Sequence, residues 1–124
     1  MITKDEIIKE CQKAAENAWN SAPFTDFMFA GFANIKINGA TSKEKLEALG
    51  FRVVKAYPYG FKINVDDLFD EPDYVKSIPD IRPGVNNVRA AWQQSLYLKE
   101  VVAKVACDLF KKEGIDCEVD SFVD

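Results

Sequence analysis

The chain has 124 residues, 48% of them hydrophobic and 29% charged, with a net charge of −4, the make-up of one soluble globular domain with a real core. Its acidic balance argues against general nucleic-acid binding, which draws on a basic surplus. It contains no histidine, which excludes Ser-His and Cys-His nucleophile pairs, histidine metal sites and phosphohistidine chemistry.

Within the single domain expected over 1–124, the first segment (1–22) reads as an amphipathic helix over residues 3–20. Thr3 caps it, and Glu6 completes a capping box. Ile7, Ile8, Cys11, Ala14, Ala15, Ala18 and Trp19 form its apolar stripe, and Ser21-Ala22-Pro23 ends it. These residues alternate charge with apolar positions, so no secretory leader is expected.

A strand-helix-hairpin unit is expected over 26–65. Residues 26–37 read as a strand with Phe27, Phe29, Ala33, Ile35 and Ile37 on one face. Asn38-Gly39 turns the chain, Thr41 with Glu44 offers a second capping box, and Gly50 stops a short helix. Phe51–Tyr57 and Phe61–Val65 form a hairpin around Pro58-Tyr59-Gly60.

Residues 66–84 form an acidic loop with three prolines, carrying Asp66, Asp67, Asp70, Glu71, Asp73 and Asp80. The last unit, 85–122, is a long helix followed by a strand. The helix runs from Val85 to Glu113 and Gly114 ends it. At 100° per residue, Val88, Ala91, Trp92, Ser95, Leu98, Val102, Ala106, Leu109 and Phe110 share one side with Lys99. Arg89, Gln93, Tyr97, Glu100, Lys104, Asp108 and Lys111 lie opposite. So wide an apolar arc needs two neighbours: the sheet, and either the N-terminal helix or a second subunit. In the closing strand, Ile115–Phe122, Ile115, Cys117 and Val119 point inward and the intervening acids outward.

The order is therefore a helix followed by β-α-β-β-α-β, an α+β class. It matches the ferredoxin-like split arrangement, a four-stranded, mainly antiparallel sheet with helices on one face. In that topology the last strand lies beside the first, so its acids meet Lys36 across the ladder. A simpler meander with flanking helices is the alternative.

Four places invite chemistry. Lys99, among apolar neighbours, would either hold an anionic ligand or snorkel to water. Arg82, Gly84, Asn86 and Arg89 stand at the entry of the long helix, where free N–H groups favour anions; an ordinary cap is the plainer reading. The acidic loop lacks EF-hand spacing and reads as a solvated loop rather than a metal site. Tyr57–Lys62 does not make an RNA-recognition-motif strand, because Pro58 and Lys62 break the pattern and Phe61 shares its face with inward Ile63 and Val65. The three cysteines, Cys11, Cys107 and Cys117, show no CxxC spacing and read as core residues of a reducing cytoplasm.

No complete nucleophile, base and orienter set can be assembled. The expectation is a non-enzymatic, cytoplasmic binding module without cofactor or metal. It would self-associate and engage a protein partner or a small anionic ligand near Lys99, Arg82 and Arg89. Its interface would draw on Trp92, Leu98, Val102, Phe32 and Tyr97, and no membrane is involved. Alternatives are a small accessory or inhibitor protein of viral type acting by protein contact, and a small enzyme using Lys99 or the acidic loop.

Overall fold

A computed structural model describes residues 2–21, 31–56, 59–70, 72–73 and 96–123. Helix α1 spans Lys4–Ser21. Its start follows the sequence: the Glu6 N–H donates to Thr3 Oγ1 at 3.2 Å, and the Thr3 hydroxyl donates to Glu6 Oε1 at 3.0 Å. Ile7, Cys11, Ala15 and Ala18 are buried along it at helical spacing.

Strand β1 (Gly31–Ile37) leads to helix α2 (Ala40–Leu49), then β2 (Val54–Lys55) and β3 (Phe61–Asn64). The second capping box does not form. The chain enters α2 through Gly39 at φ 91°, with no side-chain cap, which places Thr41 already inside the helix. Strand β2 has only two residues, because Phe51 turns into the core at 5% exposure instead of joining the ladder. The hairpin closes with the Ala56 N–H donating to the Gly60 carbonyl at 2.9 Å. A 3₁₀ turn, Val65–Asp67, follows.

Helix α3 is described over Leu96–Lys112 and strand β4 over Cys117–Val123; the expected helical residues 85–95 lie outside the described residues. Helices α2 and α3 end in the same way. Gly50 at φ 102° and Gly114 at φ 76° take the left-handed turn that a β-carbon disfavours. The next N–H reaches back to close the last turn, Phe51 to Leu46 and Ile115 to Phe110. Each closing pair is apolar and buried, so the stop signal is also a core contact.

The sheet is antiparallel throughout, in the order β2-β3-β1-β4. Strand β1 pairs with β3 and β4 and not with β2, so the strands do not run as a sequential meander. Lys36 stands opposite both Lys62 and Glu118, and its Nζ lies 3.7 Å from Glu118 Oε1 on the exposed face. At that exposure the pair contributes little. Ala33, Ile35 and Ile37 alternate into the core with Ile63 and Cys117. Helix α3 packs on β1 and β4, and α1 packs on α3. Among the described residues no helix is long and apolar enough to cross a membrane.

Candidate functional site

Over its described residues, Leu96–Lys112, the apolar arc of the long helix meets α1 on one side and the sheet on the other. Leu98 and Val102 have no exposed surface, and Ala103, Ala106 and Phe110 join them. Glu100, Lys104, Asp108 and Lys111 stay in solvent. Leu98 and Val102 therefore belong to the chain's own core and offer nothing to a second copy. Tyr97, placed by the wheel on the polar side, is half-buried against that core. Phe32 lies in β1, with register partner Phe122; Trp92 lies outside the described residues.

Lys99 does not snorkel. It is 7% exposed, and its ammonium donates to the Gly31 carbonyl at 3.0 Å. Gly31 is the first residue of β1, so the side chain ties α3 to the start of that strand. A charge-assisted bond of this kind holds a buried carbonyl strongly. Arg82, Gly84, Asn86 and Arg89 lie outside the described residues, so the anion cradle expected around Lys99 has only its lysine described.

The acidic loop begins on a dock. The Gln12 amide of α1 donates to the Asp70 carbonyl at 2.8 Å and accepts the Asp70 N–H at 2.7 Å. Asp66, Asp67, Asp70 and Asp73 are exposed, and Asp67 lies 3.7 Å from Arg52 Nε. Among the described residues no group of acids or cysteines is arranged to hold a metal ion.

Two features are missed by the sequence pattern. The first is the outer edge of β4. Glu118, Val119, Asp120 and Ser121 are all exposed, and among the described residues β4 pairs only with β1. Val119, expected inward, is 37% exposed, although its register partner Ile35 is fully buried. An edge strand has a neighbour on one side only, so the core covers Ile35 and leaves Val119 at its rim.

The second is a sulfur pair. Cys107 and Cys117 are buried with their Sγ atoms 3.0 Å apart. They bracket Gly114, whose left-handed turn folds β4 back along α3. The signal for it in the sequence is this bracketing: an inward helix position and an inward strand position on either side of one tight turn.

Burial raises both Cys117 and Cys11 as acids. For Cys117 desolvation leads, followed by the hydrogen bond to Cys107. For Cys11 burial, with a smaller push from Glu10, takes the thiol from 9.0 up to about 12. The folded chain thus keeps a proton on Cys11 that the unfolded chain releases above pH 9. Stability is expected to fall as pH rises from 9 toward 12, by up to about 1.4 kcal/mol per pH unit for this one group. Urea unfolding under reducing conditions, compared between wild type and Cys11→Ala, checks this. The variant should start less stable and decline less steeply, and parallel declines would refute the assignment.

A scan against protein-family models matches none to this chain, and searches of curated proteins and of solved structures likewise return no match.

Proposed function

We propose that this chain is a non-enzymatic interaction module whose exposed edge strand, β4, pairs with an extended basic segment of a protein partner. The ferredoxin-like reading of the fold belongs to this proposal; it rests on the order β2-β3-β1-β4, with α2 between β1 and β2 and α3 between β3 and β4. A reducing cytoplasm is its expected setting.

The observation that carries the proposal is the run of exposed residues on β4. Seven residues long, the strand is a template for backbone hydrogen bonding. The opposite edge, β2, has two residues and offers too little ladder. Glu118 and Asp120 alternate with Val119 and Ser121, so one face of the strand is acidic and the other small and partly apolar. A fitting partner carries Lys or Arg at every second position, and the net charge of −4 draws such a segment in.

The same charges oppose a symmetric ladder between two copies. Centred on Asp120, it sets Asp120 against itself; centred on Val119, it sets Glu118 against Asp120. Like charges directly opposite are destabilising. Leu98 and Val102 are internal, so the described part of the helix face, 96–112, supplies no alternative contact, and the reading favours a different partner over a second copy.

The test is calorimetric titration with a capped Lys-Val alternating octapeptide. Binding should weaken about tenfold in Asp120→Arg and fade in high salt, while a Glu-Val octapeptide should gain affinity for that variant. Amide shifts should map to Cys117–Val123. Equal affinity of the variant for both peptides, or shifts centred elsewhere, refutes the proposal. A charge-insensitive dimer in light scattering would refute it in favour of self-association.

A further inference from the structure

We infer that Cys107 and Cys117 form a reversible intramolecular disulfide, a modification site that joins the end of α3 to the root of β4. The inference stands on the sulfur geometry and does not depend on the partner proposed for the edge strand. The two Sγ atoms lie 3.0 Å apart, and a disulfide needs about 2.05 Å, so closure asks for a shift of roughly 1 Å. The turn at Gly114 already supplies the approach of the two elements. The Ile115 N–H bond to Phe110 and the Asp116 N–H bond to Ser42 Oγ, at 3.0 and 2.8 Å, hold that turn in place. Cys11, on α1, is equally buried and has no cysteine sulfur against it. It is an internal control in the same molecule.

The oxidant is a small hydroperoxide, which adds only one oxygen to a confined sulfur. One thiol sulfur attacks the peroxide, breaking its O–O bond; the sulfur gains OH, and the departing oxygen takes the thiol proton and leaves as water. The second sulfur attacks the sulfenic sulfur. The S–S bond forms, the S–O bond breaks, and the second oxygen leaves as water with the second thiol proton. Two thiols and one hydrogen peroxide thus yield one disulfide and two waters. The sulfur pair loses two electrons and the peroxide gains them. Added thiol reverses the bond by exchange.

Two consequences follow from the position. The cross-link closes a short loop, ten residues apart in sequence, and so lowers the entropy of the unfolded chain. It also anchors the start of the strand whose residues 118–121 are exposed.

The experiment treats the folded, full-length protein with hydrogen peroxide, quenches with catalase, then unfolds it and alkylates with iodoacetamide. Two of the three thiols should disappear together, with a mass loss of two hydrogens. Non-reducing peptide mapping should join Cys107 to Cys117, and dithiothreitol should restore all three thiols. The oxidised form should melt several degrees higher, and the gain should vanish on reduction. Cys107→Ser should abolish the paired loss; if that variant fails to fold, the wild-type map decides alone. Three free thiols after treatment, oxygen retained on either cysteine, or a bond between chains would each overturn the inference.

Discussion

Phe110→Ala is expected to destabilise the chain by about 3–5 kcal/mol, the range for removing a fully enclosed phenylalanine. Phe110 has no exposed surface and meets the Phe51 ring edge-on, with centroids 5.3 Å apart and planes at 80°. That geometry suits the aromatic quadrupoles and adds to the area buried. The Phe110 carbonyl also accepts the Ile115 N–H that closes α3, but the substitution leaves this backbone bond in place. The expected loss is therefore a packing loss. It should appear in urea unfolding as a lower midpoint with an unchanged slope. A cost under about 1 kcal/mol would show that the two rings are not packed as described. Phe110→Leu, which keeps much of the volume, should lose far less.

Lys99 separates a structural charge from a functional one. Lys99→Ala removes both the buried stem and the hydrogen bond, at an expected cost of about 2–5 kcal/mol. Lys99→Met keeps the stem and removes only the ammonium, leaving the Gly31 carbonyl without that donor, at about 1–3 kcal/mol. Hydrogen exchange should localise the second loss, with faster exchange in β1 near Gly31 and little change in α1. If Lys99→Met is as stable as wild type, the ammonium does not hold β1 down. A charge kept there at no benefit to the fold would revive the anionic-ligand reading. With one ammonium N–H donated to the Gly31 carbonyl and its side chain enclosed, the structural role is the expected result.

The local grammar of the chain is legible in its residues alone. Thr3 with Glu6, Gly50, Gly114, the 3.6-residue rhythm of Leu98, Val102, Ala106 and Phe110, and the alternation of Ala33, Ile35 and Ile37 depend on nearest neighbours along the chain. Their physics is the capping of free N–H groups, the freedom of glycine at positive φ, and the period of each backbone. The pairing of Lys36 with Glu118 is legible too, because the order of elements puts the last strand beside the first. The short β2 is not, since nothing local in Phe51–Tyr57 shows that Phe51 leaves the ladder for a place against Phe110. The start of α2 departs from its expected cap for a similar reason: Gly39 admits the chain to the helix before Thr41 is reached.

Periodicity tells which way a side chain points from its own element, and it is silent on what lies in that direction. Lys99 points into the apolar side on the wheel, yet only the position of Gly31 shows where its ammonium ends. Leu98 and Val102 face a neighbour in either reading, and the packing of α1 identifies that neighbour as the chain itself. Val119 alternates inward like Cys117, but coverage at a sheet edge depends on how far the helices reach, so one is exposed and the other buried. The approach of Cys107 to Cys117 depends on the same three-dimensional reach. By itself the sequence determined where α1 starts, where α2 and α3 stop, and which sides of the helices and of β1 are apolar, because those choices are settled within a few residues. Only the tertiary structure decided which side chains meet, because burial is a property of the assembled layers and not of any one of them.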